Sequence, residues 1–223
     1  MWAIVGLSGE KRDPQASVSA HEGRTDELVD LLIQAARDNP SIPAFRSALP
    51  AMLCELDRAD EARDRFVAEA AQGFDYAYDT SWLSAMANMT DAAATLGDGR
   101  ACETLLERLM PFATQVVAIG SVRVMGALAR PLARAAAVLG DYDQAEQWFA
   151  TAHDLHVRLQ APFWTARGQL DHADLCLTRC ADDDLQRARD LATTAAATAA
   201  EYDCAGLSRR AANLLISVSN DDA

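Results

Sequence analysis

The chain has 223 residues, half of them hydrophobic, and a formal net charge of −13. That length holds one large domain or a short array of repeats, and that apolar share is enough to build a core. The acidic balance argues against a general grip on nucleic acid, which Lys and Arg facing phosphates would provide.

The residue types narrow the class further. Counting gives 46 Ala and a single Lys, Lys11, and Ala favours helix because it loses no side-chain entropy there. Strict alternation of Val, Ile and Thr is absent, so strands have little support and an all-α fold is expected. No apolar run approaches the roughly 18 residues of a membrane span. The opening "MWAIVGLSGEKRDP" places its basic residues after its apolar patch, the wrong order for a secretory signal, so a cytoplasmic protein is expected. The five cysteines, Cys54, Cys102, Cys176, Cys180 and Cys204, mostly sit in helical patterns. They read as small buried hydrophobes, not a disulfide framework.

In chain order, residues 1–20 mix Gly, Ser, Pro and charge without helical periodicity and are expected to be poorly ordered. A repeat domain is expected over 21–218, with 219–223 as a tail. Its unit is a break residue, a small or apolar residue five positions on, and a large residue four later. The pattern falls on Gly23, Leu28 and Leu32, on Asp57, Ala62 and Phe66, and on Gly97, Cys102 and Leu106. It recurs at Gly140, Ala145 and Phe149, and more faintly at Asp183, Ala188 and Ala192. The middle anchors at 28, 62, 102, 145 and 188 are spaced 34, 40, 43 and 43 residues, the period of helical-hairpin arrays. Asp98, Asp141 and Asp184 share the slot before a helix, where a carboxylate accepts free backbone N–H groups.

Upstream of the later breaks lie further apolar-periodic helices, at roughly 43–56, 81–96, 122–139 and 163–179, with a last one near 204–218. Pro43 suits a first turn, Pro111 and Pro162 fall near helix ends, and Pro50 and Pro131 mark kinks or boundaries. The helix over 23–39 reads as the second of a hairpin whose first is missing. The expectation is therefore a fragment of something longer, or an array that leans on a partner, because an end unit exposes its stacking face.

The segment "ARAAAVLGDYDQAEQWFATA", with small residues at Ala133, Ala145 and Ala152 and aromatic Phe149, resembles a tetratricopeptide repeat. Three stretches carry a wider resemblance: "GRTDELVDLLIQAARDNPSIPAFRSALPAMLCELDRADEARDRF", "DTSWLSAMANMTDAAATLGDGRACETLLERLMPFA" and "LGDYDQAEQWFATAHDLHVRLQAPFWTARGQLDHADLCLTR". They look like the C-terminal repeat region of large actinobacterial-type regulators, LuxR-type or cyclase-linked ATPases of the STAND type. The resemblance implies a right-handed α-solenoid of about five tetratricopeptide-like hairpins, the first incomplete. It implies a protein-interaction or sensing scaffold that holds a protein or peptide in its concave groove, with an ATPase or cyclase partner or a second copy as candidates. The phosphate loop G-x-x-x-x-G-K-[ST] does not occur, nor a basic helix-turn-helix, so the larger proteins' activities do not transfer.

Candidate chemistry is sparse. His172, Cys176 and Cys180 follow a four-residue spacing that suits zinc, with His153 or His156 as a further ligand, but the same positions fit a packed helix face. No metal or cofactor is expected. The cysteines lack a nucleophile elbow or papain-like context, so no catalytic residue is assigned. The acidic run Asp182–Asp184 reads as a cap and a solvated loop. Two features suggest recognition. Arg123, Arg130 and Arg134 share one face of the predicted 122–139 helix, joined by Arg167. They form either a socket for carboxylates or phosphates, or internal ion pairs with Asp and Glu. Phe74, Tyr76, Tyr78 and Trp82 form either a binding patch or a plug between units, and Trp82 is the candidate contact. The alternatives to a scaffold are a module sensing an anionic small molecule, or a truncated remnant of such a regulator.

Overall fold

The computed structural model describes residues 22–39, 42–119 and 123–221; the segment 1–20 expected to be loose lies outside them. Ten α-helices follow one another among the described residues, with one small β-hairpin. They are α1 (Glu22–Asp38), α2 (Pro43–Glu55), α3 (Ala59–Ala71), α4 (Trp82–Leu96), α5 (Gly99–Leu109), α6 (Ala129–Val138), α7 (Tyr142–Arg158), α8 (Pro162–Arg179), α9 (Asp184–Glu201) and α10 (Ala205–Asp221). The last helix runs past the expected boundary at 218. Gly23, expected as a break, lies in the first turn of α1.

The breaks between paired helices follow from backbone chemistry. Asp57, Gly97 and Gly140 take left-handed φ values, at 57°, 69° and 75°, where α2, α4 and α6 end and the chain turns back; between α8 and α9 it is Cys180, at 51°, that ends the helix, and Asp183, at 68°, opens the next. The small residue five positions on is fully buried each time, as Ala62, Cys102, Ala145 and Ala188. Asp98 caps α5 by accepting from Ala101 N at 3.0 Å, and Asp141 caps α7 by accepting from Gln144 N at 3.2 Å. The third expected cap differs. Asp183 holds the N-cap position of α9, and Asp184 instead accepts from Ala181 N at 2.8 Å and pairs with Arg179. Pro43 and Pro162 open α2 and α8. Pro50 is genuinely inside α2, whereas Pro131 sits in the first turn of α6, where an N–H has no helical partner to lose.

The largest departure from expectation is the helix over 122–139. Residues Val116–Ile119 form β1 and Arg123–Ala127 form β2, paired antiparallel with Ala118 opposite Val124 and Ile119 opposite Arg123. β-branched Val116, Val117, Ile119 and Val124 favour the pleated backbone. Gly126, at φ 84°, forbids a helix through it. Leu128 N donates to Gln115 O at 3.0 Å and closes the base of the hairpin. The helix therefore starts only at Ala129.

Hairpin mates pack on each other, and α2, α4, α6, α8 and α10 pack in succession. One core runs from α1 to α7 and takes Trp164 and Leu175 from α8; a second joins α8, α9 and α10 through Ala166, Leu170, Cys176, Ala188, Ala192 and Ala211. Alanine dominates both because short side chains allow close helix approach. Among the described residues, no helix is long and apolar enough to cross a membrane.

Candidate functional site

The arginine row divides. Arg123 lies in β2 and not on the helix with Arg130 and Arg134. Those two are one turn apart on α6 and meet carboxylates from both neighbouring units. Arg130 Nη1 donates to Asp171 Oδ2 at 2.7 Å and its Nη2 to Asp91. Arg134 Nη1 donates to Asp91 Oδ1 at 2.7 Å, and its Nε stands 3.7 Å from Asp171 Oδ1. Arg210 on α10 donates to Asp171 Oδ1 at 2.7 Å and also to Asp174. Arg167 on α8 reaches Glu55 at the end of α2.

The side chains of Arg130 and Asp171 are 3% and 2% exposed, so this network lies inside the protein. Burial works against the Asp171 carboxylate, but Arg210, Arg134, Arg130 and Arg167 outweigh it and hold its pKa far below the usual carboxylate range. Burial likewise opposes the Asp91 charge, and Arg130, Arg134 and Arg167 restore it. The Trp164 ring takes the guanidiniums of Arg130 and Arg167 at 5.9 and 5.5 Å from its centroid.

The acids in this network, Asp91 and Asp171, and its last arginine, Arg210, were not singled out in the sequence. A signal for them exists. Asp91 lies 39 residues before Arg130, Asp171 lies 41 after it, and Arg210 lies 39 after Asp171. The steps fall near the hairpin spacing and put the four on α4, α6, α8 and α10 with the sign alternating, but against the small residues at 102, 145 and 188 the first three stand 11, 15 and 17 residues upstream, so they do not share one repeat position.

The aromatic group also divides. Phe74 and Tyr76 are buried, Phe74 beside Phe66 at 5.8 Å and Tyr76 beneath the Arg46 guanidinium at 5.5 Å. They plug the gap between units. Tyr78 is 76% exposed and lies 4.9 Å from the half-buried Trp82, which meets Phe112 edge-on at 5.5 Å. Met110 beside Phe112 is 53% exposed. Trp82 opens α4 and Asp91 lies nine residues on, about 13 Å along the helix axis at the usual rise. The structure thus places Trp82 at a separate face from the arginines.

His172, Cys176 and Cys180, for all their zinc-like spacing, do not assemble into one cluster. Cys180 is exposed past the end of α8, and its Sγ donates to Leu177 O at 2.8 Å. Glu146 of α7 takes its place, so that ligand-type atoms of Glu146, His172 and Cys176 lie within 4.8 Å of one another. His153 is exposed, and buried His156 accepts from Ala127 N at 2.8 Å through Nε2. Glu146 meets His172 Nε2 at 2.9 Å, Arg187 at 2.8 and 2.7 Å, and Arg179 at 3.1 Å. A cation there would face two guanidiniums. Burial pushes the Cys176 thiol up to about 11, away from the thiolate a metal needs. The cluster reads as a tie between α7, α8 and α9. A shallow cleft of about 290 Å³ lies at the other end of these helices, between Val157, Pro162, Thr198 and Tyr202.

Comparison with protein-family models, with curated proteins and with solved structures finds no match to this chain.

Proposed function

We propose that this chain is a non-catalytic interaction scaffold, a right-handed α-solenoid of tetratricopeptide-like hairpins akin to the repeat region of signal-responsive regulators. The observation that carries this reading is the patch formed by exposed Tyr78 with half-buried Trp82 and Phe112. Tyr, Trp and Phe are among the residue types enriched where proteins bury each other. Here they stand on one side of a framework whose charged centre is internally paired. In this reading the partner docks at the aromatic face, and the arginine network holds the hairpins in place.

An anionic ligand bound to the arginine row fits less well. It would have to displace Asp91 and Asp171, which are already buried against the same guanidiniums. An ATPase or cyclase partner remains the candidate suggested by the regulator-like segments. The test is a photo-crosslinking residue placed at position 78 in the native host, with position 194 on α9 as control. A discrete crosslinked protein at 78, lost in Trp82→Ala, is expected. Equal crosslinking at both positions, or none at either, would overturn the proposal.

A further inference from the structure

The aromatic face has a charge signature of its own. Asp75 and Asp79 are exposed in the loop that delivers Tyr78 to Trp82. The Asp79 carboxylate is fixed in place, accepting from Ser81 N and Ser81 Oγ at 2.7 Å each. The Ser81 hydroxyl and backbone bonds hold its pKa below the ordinary value, so it stays ionised. Two guanidiniums from other elements meet this loop away from the Tyr78 ring: Arg108 of α5 donates to Gly73 O at 2.7 Å, and Arg46 of α2 lies over the buried Tyr76. The rings of Tyr78 and Trp82 are tilted at 51° and lie against each other. They leave an open ring face, not a slot between rings.

Resting on the scaffold reading, we infer that this face takes an extended basic segment of a partner protein, with Arg or Lys side chains laid on Tyr78 and Trp82 and their charges met by Asp75 and Asp79. Flat guanidinium or ammonium groups over exposed aromatic rings gain from the ring quadrupole. Neighbouring carboxylates and the net charge of −13 add attraction at long range. A second copy of this chain is the wrong occupant: face-to-face pairing would set Asp75 and Asp79 against themselves on two strongly acidic bodies. Nucleic acid is disfavoured for the same reason.

The test titrates the full-length, isotope-labelled protein with N-acetyl octa-arginine, octaproline and octaglutamate, followed by amide and indole NMR shifts. Octa-arginine is expected to move Tyr78, Ser81, Trp82 and Phe112 before the acidic loop at 182–184. Its affinity should fall about fivefold in Tyr78→Ala and again in the Asp75→Asn, Asp79→Asn pair. Tyr78→Ala should keep the helical circular dichroism and melting midpoint, because the ring is mostly solvent-exposed. Shifts spread evenly over the acidic surface, or an affinity indifferent to Tyr78→Ala, would overturn the inference. Equal binding of octaproline or octaglutamate at Tyr78 would also overturn it. In that case crosslinking from position 78 would still stand for the scaffold reading, whereas loss of both would remove the scaffold reading as well.

Discussion

Replacing Asp171 with Asn tests whether the buried ion-pair network holds the hairpins together. The substitution keeps the shape and removes one charge that serves three arginines. Arg130 loses its 2.7 Å partner while 3% exposed, Arg210 loses one of two carboxylates, and Arg134 loses a neighbour at 3.7 Å. Removing one partner of a buried pair typically costs about 3–5 kcal/mol, because the remaining charge is desolvated without compensation. Asp91 still faces Arg130, which places the expected loss near the lower end, about 3 kcal/mol. With a urea dependence of roughly 2–3 kcal/mol per molar, the unfolding midpoint should fall by about 1 M or more. Urea denaturation at pH 7, followed by far-ultraviolet circular dichroism, reads this directly, with exposed Asp182→Asn as a control expected to stay within about 0.5 kcal/mol. The acid limb gives a second readout. The folded pKa of Asp171 lies below its ordinary value, so its stabilisation is present above about pH 4 and lost as pH falls further. Asp171→Asn should flatten that limb. A midpoint change under about 0.2 M with an unchanged acid limb would refute the reasoning.

Four further sites give separate outcomes. A Cβ at Gly126 would stand 2.8 Å from Trp164 Cδ2 and 3.0 Å from His156 Nε2, at φ +84°; Gly126→Ala should therefore cost about 2–4 kcal/mol from overpacking and left-handed strain. A denaturation midpoint unchanged by that substitution would contradict the packing around β2. Burial, with Arg130 adding to it, lowers the His156 pKa from 6.5 to about 4. Stability from its neutral form is thus full above pH 6.5 and falls by up to about 3 kcal/mol as pH drops toward 4. His156→Gln keeps an acceptor for Ala127 N and should remove this share of the loss between pH 7 and 4.5; an identical loss in the variant would count against it. Asp98→Ala and Asp141→Ala should each cost about 1 kcal/mol by uncapping α5 and α7, while Asp182→Ala, outside any cap, should cost less than half of that in the same melts.

How much of this was legible depends on the distance over which each feature is decided. The breaks at Asp57, Gly97, Gly140 and Asp183 and the buried Ala62, Cys102, Ala145 and Ala188 are local necessities of a helical hairpin, and they stand in the sequence as such. The β-hairpin is also local, but two signals competed. Arg123, Arg130 and Arg134 happen to fall at helical intervals, and that spacing masked the β-branched run that Gly126 punctuates. The residue pairing at the site is long-range. The arginines carry no local mark of which acids face them, and the repeat spacing narrows the choice only to acids about 40 residues away, among them Asp91 and Asp171. The aromatic loop was ambiguous for a different reason. Phe74, Tyr76, Tyr78 and Trp82 lie within nine positions, yet Phe74 and Tyr76 turn inward, Trp82 is half-buried and Tyr78 stays at the surface. The loop after α3 decides this, not the residue types.

The alternating charges Asp91, Arg130, Asp171 and Arg210 limit how such a chain can change length. Excising the hairpin that carries Arg130 also removes Arg134, leaving Asp91 without either guanidinium and Asp171 with Arg210 alone. Excising the hairpin that carries Asp171 also removes Asp174 and takes both carboxylates from Arg210. Removing or duplicating two adjacent units preserves every opposite-sign step. By this alternation of charge, a shortened or lengthened chain that keeps its buried ions paired should gain or lose two adjacent hairpins at a time.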